Sequence, residues 1–232
     1  MIDRMPRRQL LAGLVGATSV ATAGLVLTTD RSRAFTDTAP IQTESVDGLV
    51  VDWRETYNGA TLVDASDGAA SRSPTGPAIS LGNVLPGDSG TLSVRLRLEG
   101  EDDLAVEPSV TVDLRGELNS PGLQEFIEAA VWYDVGLLGV DPLGANNGVR
   151  DFGEALVDPA AEGTVADVAA ALDDGVSLHS SPNPLGSNCL EVDDDDDVTI
   201  TFGWSFPPNQ PNINAVQGDS LEFDLTFDAT QC

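Results

Sequence analysis

One stretch of the chain carries residue types spaced for metal chemistry. Asn147-Gly148-Val149-Arg150-Asp151-Phe152-Gly153-Glu154 reads like the second half of a calcium loop. It has a glycine at the sharp turn, an acid three positions on, and a glutamate placed to bind with both oxygens. The first half of the pattern is missing, because Leu143 and Ala145 fall where oxygen ligands belong. Asp134 and Asp141 could fold back to substitute. The candidate calcium ligands are therefore Asp134, Asp141, Asn147, Asp151 and Glu154, with an ordinary polar hairpin loop as the alternative. Calcium is the only cofactor the sequence suggests.

Other chemistry is poorly supplied. A zinc hydrolase site normally uses more than one histidine, and His179 is the only one, in a loop rich in Ser, Pro and Asn and outside any H-E-x-x-H motif. The same histidine would have to serve any Ser or Cys hydrolase, and no Gly-x-Ser-x-Gly elbow occurs. Glycosidase chemistry needs only two carboxylates, which this acidic chain has in excess. No catalytic constellation emerges, and the expectation is a protein that is not an enzyme. Trp53, Trp132 and Trp204 each fall in an alternating strand and are expected in the core, with a sugar-binding platform as the alternative.

The cysteines point to a compartment. Cys189 and Cys232 make an even count, without a C-x-x-C motif and with too few histidines for a metal pair. In an oxidising setting they are expected to form a disulfide tying the last residue to the body of the domain. Met1 to Ala34 fits export: Arg4, Arg7 and Arg8 open it, an apolar stretch runs from Leu10 to Leu27, and Ser32 and Ala34 offer small residues for cleavage. Arg7-Arg8-Gln9-Leu10-Leu11 also resembles a twin-arginine signal. Residues 1–34 are expected to be a signal peptide removed by a signal peptidase, with membrane contact only if that segment is retained.

Charge adds the setting. The 232 residues carry 38 acidic and 11 basic side chains, a net of −27, and every basic residue is arginine. Removing residues 1–34 takes away five Arg and two Asp and raises the net charge to −30. Nucleic-acid binding is disfavoured, because it depends on Lys and Arg neutralising phosphates. Self-repulsion at this density opposes compaction, and molar salt, with a screening length of about 3 Å, removes most of that penalty. The chain reads as halophilic. Asp193 to Asp197, five adjacent carboxylates, are expected in an exposed loop.

The elements that must position these residues are strands. With 41% hydrophobic residues, a chain of this length can bury about 70% of its unfolded surface in one core. Short alternating runs separated by Gly, Pro, Asn and Asp read as all-β. Strands are predicted at Leu49 to Tyr57, Gly90 to Leu98, Val106 to Leu114, Ala129 to Tyr133, Val198 to Trp204 and Leu221 to Phe227. In Gly90 to Leu98 the residues Leu92, Val94, Leu96 and Leu98 point inward and Ser93, Arg95 and Arg97 outward. In the last strand Leu221, Phe223, Leu225 and Phe227 face inward and Glu222, Asp224 and Thr226 outward. Two short helices are predicted, Pro121 to Glu128 after Ser120 and Val165 to Leu172 after Thr164, with Asp167 completing a cap and Gly175 as a stop. Leu85-Pro86-Gly87-Asp88 and Phe206-Pro207-Pro208-Asn209 read as turns. The architecture expected from these elements is a β-sandwich of jelly-roll type.

Several motifs together carry a resemblance. They are the twin-Arg signal ending in Ala34-Phe35-Thr36-Asp37, Val51-Asp52-Trp53-Arg54-Glu55-Thr56-Tyr57-Asn58-Gly59, and Ile79 to Gly90 with its turn. Val131-Trp132-Tyr133-Asp134, Asn147 to Glu154, Gly203-Trp204-Ser205-Phe206-Pro207 and Gln231-Cys232 follow. In these the chain resembles haloarchaeal proteins with a SipW-dependent-type signal peptide, relatives of the bacterial TasA and camelysin group. The resemblance implies an exported jelly-roll domain at residues 48–232. It also implies assembly into extracellular fibres, pili or a biofilm matrix, some relatives inserting the mature N-terminal segment of one subunit into the sheet of the next. In this chain that segment is residues 35–47, with Phe35 and Ile41 as its large apolar anchors and a flexible or self-paired terminus as the alternative. Partners are then other copies of the chain or other cell-surface proteins. The competing expectation is a monomeric, calcium-stabilised binding module, secreted or surface-anchored.

Overall fold

The computed structural model describes residues 42–44, 49–64, 79–99, 104–115, 121–135, 146–179, 188–192, 197–216 and 218–232, all within the unit Ser32–Cys232. The predicted signal peptide, Phe35, Ile41, Asp141 and the acidic residues 193–196 lie outside the described residues.

Period-two alternation sets the strands. In order they are β1 (Gln42–Glu44), β2 (Leu49–Tyr57), β3 (Ala60–Asp64), β4 (Ile79–Gly82), β5 (Ser89–Leu98), β6 (Ala105–Arg115), β7 (Glu128–Tyr133) and β8 (Glu162–Thr164). One α-helix, α1 (Val165–Leu172), precedes β9 (Val176–Ser177), β10 (Leu190–Glu191), β11 (Asp197–Ser205) and β12 (Ser220–Gln231). The fold is all-β, in two sheets. The first runs β1-β12-β6-β10, with β4 also on β12 and β9 also on β6. The second runs β3-β2-β5-β11-β7-β8.

The inner faces of the two sheets meet in one apolar core. Leu92, Val94, Leu96 and Leu98 of β5 and Leu221, Phe223, Leu225 and Phe227 of β12 are buried there, as their alternation predicts. The rings of Phe202 on β11 and Phe223 on β12 lie 4.8 Å apart between centroids, one from each sheet. The expected disulfide is present: Cys189 and Cys232 are bonded across 43 residues. The Cys232 N–H also donates to the Ala105 carbonyl, so the end of β12 is fastened beside the start of β6.

Turn chemistry holds the second sheet's edge. Pro86 and Gly87, at φ +101°, fill the central positions of a tight turn whose Asp88 N–H donates to Leu85 O at 2.9 Å. The Asp88 carboxylate accepts from Leu85 N (2.8 Å), the Tyr57 hydroxyl (2.6 Å) and Asn58 Nδ2 (2.9 Å). Burial raises its pKa, and these three hydrogen bonds outweigh burial and hold it below the ordinary value. Asn58 and Gly59, at φ +48° and +77°, make the hairpin between β2 and β3, a pair of left-handed residues that suits the twist of the strands.

Helix α1 begins as predicted. Thr164 and Asp167 form a reciprocal capping box, and Gly175, at φ +80°, follows the last turn with its N–H on Leu172 O. The helix predicted at Pro121 to Glu128 is replaced by a single 3-10 turn, Leu123–Glu125. Glu128 is already a strand residue, paired with Ser205 on one side and Thr164 on the other, and that register leaves no room for a second helical turn. Asp197, expected in an exposed loop, opens β11 and pairs with Arg95 across the strands. Among the described residues no helix is long and apolar enough to cross a membrane.

Candidate functional site

The outer face of the second sheet is where polar residues concentrate. Its strands place side chains in cross-strand rows. One row is Thr56, Thr91, Gly203 and Ala130, the next Arg54, Ser93, Thr201 and Trp132, and a third starts Asp52, Arg95, Thr199. An outward face of a sandwich is ordinarily wet. Here Asp52, Ser93, Thr199, Thr201 and Asp134 are all buried, and Asn146 and Gly148 of the connection after β7 lie against Arg54, Thr91 and Ser93.

Asp134 is the anchor of that connection. At 1% exposed, its carboxylate accepts from the backbone N–H of Asn147 (3.2 Å) and of Gly148 (2.8 Å) and from the Thr201 hydroxyl (2.9 Å). Thr201 Oγ1 also lies 2.8 Å from Ser93 Oγ. Thr201 has one hydroxyl proton, and an ionised carboxylate only accepts. That proton is shared between Asp134 Oδ2 and Ser93 Oγ, both of which lie in accepting positions around Thr201. From the other side Arg54 Nη2 donates to the Asn146 carbonyl. Gly148 closes against the sheet with φ +73°, and a Cβ there would stand 3.1 Å from Thr91 Oγ1 and 3.4 Å from Ser93 Oγ. Glycine is required twice over, by the left-handed backbone and by the close approach.

The predicted ligands are thus partly brought together, in hydrogen bonds. Asn147 Oδ1 accepts from Val149 N, Asn147 Nδ2 donates to Asp151 Oδ2 (2.9 Å), and Glu154 Oε2 accepts from Asp151 N (2.7 Å). Asp134, Asp151 and Glu154 each accept from an N–H donor of the loop from Asn146 to Glu154. Among the described residues no three His, Cys, Asp or Glu side chains are grouped to hold a metal ion. Calcium would compete with these donors for the same oxygens. His179 sits apart, its Nδ1 2.6 Å from Asn188 Oδ1 and its backbone N–H on the Tyr133 hydroxyl.

Beside the loop the outer face carries an open groove of about 770 Å³, floored by Thr91, Gly203 and Ala130 and lined by Val149, Arg150 and Glu162. Arg150 Nη1 reaches Glu162 Oε2 at 3.0 Å. Val149 and Phe152 on the loop are exposed apolar side chains. Trp204 lies in the inter-sheet core and Trp53 packs against it, as expected, but Trp132 does not. It is buried on the outer face instead, lying across Gly203. Its parity in β7 is opposite to that of Val131 and Tyr133, which do enter the core.

One buried group went unremarked in the sequence. Glu55 shares the inner face of β2 with Leu49, Val51, Trp53 and Tyr57, at 1% exposed, and neither carboxylate oxygen has a hydrogen-bond partner. Burial raises its pKa from 4.5 to about 7. Alternation alone puts it there, since it stands two residues from each of the aromatic side chains that mark the inner face.

Comparison with family models, with curated proteins and with solved structures gives no match.

Proposed function

We propose that this chain is an exported, halophilic structural protein of jelly-roll type, a subunit of an extracellular fibre or matrix that assembles by strand addition. One observation carries the reading. The described part of the N-terminal segment, β1, runs parallel to β12 in only three residue pairs, Gln42 with Thr226, Thr43 with Phe227 and Glu44 with Asp228. It occupies the same edge of β12 that β4 covers at Ser220 to Phe223. A strand this short at a sheet edge gains little from its own chain and can be supplied equally by another copy, since main-chain hydrogen bonds do not distinguish donors. The disulfide supports an oxidising compartment and the acidic excess supports a saline one.

Negative-stain electron microscopy of the protein, concentrated in molar salt, tests the proposal. Regular filaments that vanish when residues 35–47 are deleted, while the domain stays folded, are the expected result. Filaments unchanged by the deletion would overturn strand addition. Discrete particles under every condition would favour the second reading, a monomeric secreted binding module, for which the groove beside Val149 and Arg150 is the supporting observation.

A further inference from the structure

Asparagine followed by glycine occurs twice in the chain, at Asn58-Gly59 and at Asn147-Gly148. Glycine leaves its own backbone nitrogen unshielded by a side chain, one residue from the asparagine amide carbon. At Asn147 each reacting atom of that pair has a partner. The Gly148 N–H, the nucleophile, donates to Asp134 Oδ2 at 2.8 Å, within the reach of a general base. The Asn147 side-chain carbonyl, the electrophile, accepts from the Val149 N–H, a donor placed where negative charge gathers on attack. Asn147 Nδ2, the leaving nitrogen, donates to Asp151 Oδ2 at 2.9 Å. Asn147 itself is exposed, so water reaches it.

We propose that Asn147 is a self-modification site, at which the loop converts its own asparagine to aspartate and isoaspartate through a cyclic imide. The Gly148 nitrogen bonds to Asn147 Cγ as its proton passes to Asp134. The Cγ–Nδ2 bond then breaks. The nitrogen leaves as ammonia with the proton that Asp134 held, and the carboxylate is restored. Water opens the imide at one carbonyl or the other, giving aspartate or isoaspartate. The nitrogen attacks with its electron pair, which stands perpendicular to the peptide plane, so a hydrogen bond in that plane orients the nucleophile without occupying it. Asn58-Gly59 is the natural comparison. Asn58 Oδ1 accepts from Ser89 N and Nδ2 donates to Asp88 Oδ1, both at 2.9 Å, so its amide is held much as that of Asn147 is. The glycine differs. The Asp88 carboxylate takes its hydrogen bonds from Leu85, Tyr57 and Asn58 rather than from the Gly59 N–H, and a Cβ on Gly59 would meet nothing within 4 Å. The carboxylate on the glycine nitrogen therefore decides which pair reacts. In the aspartate product an oxygen stands where Nδ2 donated to Asp151, two acceptors face each other, and that clasp of the loop is lost. The inference does not depend on fibre assembly: the loop lies on the second sheet, whereas β1 and β12 belong to the first.

The test is peptide mass spectrometry of the full chain aged at neutral pH, folded in molar salt and, in parallel, unfolded in urea. Trypsin separates the two sites, in residues 55–72 and 116–150. In the folded chain Asn147 is expected to convert at least about tenfold faster than Asn58, as a positioned general base requires. In urea the two rates should converge, because both pairs then lose their partners. Isoaspartate should accompany aspartate, since the imide opens both ways. Asp134→Asn keeps the shape of the side chain and removes the base, and should bring Asn147 down to about the rate of Asn58. If that variant does not fold, the parent alone decides, through its folded and unfolded rates. Conversion of Asn147 no faster than that of Asn58 in the folded chain would overturn the inference. So would a faster rate at Asn147 in urea than in the folded chain, aspartate without isoaspartate, or an undiminished rate in folded Asp134→Asn.

Discussion

The indole of Trp132 lies across the backbone of Gly203: a Cβ at position 203 would stand 2.6 Å from Trp132 Cη2 and 2.7 Å from Cζ3. The two residues are neighbours on adjacent strands, β7 and β11, and this contact fixes the indole on the outer face. Gly203→Ala must displace the ring or the strand. It is expected to destabilise the domain by about 1–3 kcal/mol, as overpacking does, measured by urea unfolding. The same change with Trp132→Leu should cost less than the sum of the two single changes.

Glu55 predicts a pH dependence of opposite sign to that of most carboxylates. Its folded pKa is about 7 against an ordinary 4.5, so the folded state holds a proton that the unfolded state has released. That contribution is fully present below about pH 4.5, declines as pH rises, and is gone above about pH 7. Stability of the parent relative to Glu55→Gln is expected to fall across that window. A difference that stays flat from pH 4.5 to 7.5 would show that Glu55 ionises normally.

Asp134 holds the returning loop. Asp134→Ala removes the acceptor for two N–H groups and a hydroxyl, and is expected to cost at least about 2 kcal/mol. It should also speed tryptic cleavage after the exposed Arg150. Asp134→Asn should recover only part of the loss, since one acceptor oxygen becomes an amide facing donors. Because hydrogen bonds shape the loop, a calcium chelator is expected to leave the cleavage rate of the parent unchanged. Faster cleavage in chelator would instead show that the cation-bound form is the stable one.

The Cys189–Cys232 disulfide closes a 43-residue loop. On the chain-entropy model this stabilises by about 4 kcal/mol. Replacing both cysteines with serine should lower the unfolding free energy by about that amount, and with it the denaturant midpoint, while the slope rises because the unfolded chain without the crosslink is more expanded.

The sequence by itself determined the six longest strands, β2, β5, β6, β7, β11 and β12, the capped helix and the disulfide, because each depends on neighbours within a few residues or on composition, whereas short strands such as β4 and β8 carry too few residues to show an alternation. Leu221, Phe223, Leu225 and Phe227 could only lie on one face of a strand, and Thr164 with Asp167 could only cap a helix. Parity alone was also enough to bury Glu55 beside Trp53 and Tyr57. The tertiary structure decided what the outer face of the second sheet became. Whether Ser93 meets water or protein depends on where Asn146 to Gly148 come to lie, and no periodicity within β2, β5 or β11 encodes that placement. The role of Asp134 was settled in the same way. In sequence it stands 13 and 14 residues from the N–H groups it accepts, and its third donor, Thr201, arrives from β11. The acids of the 147–154 loop suggest cation ligands by spacing, and the backbone donors that share the same oxygens are visible only in the folded chain. Trp132 changed sides for a comparable reason: glycine at 203 opens a shelf on the outer face, and only strand pairing places that shelf beside β7.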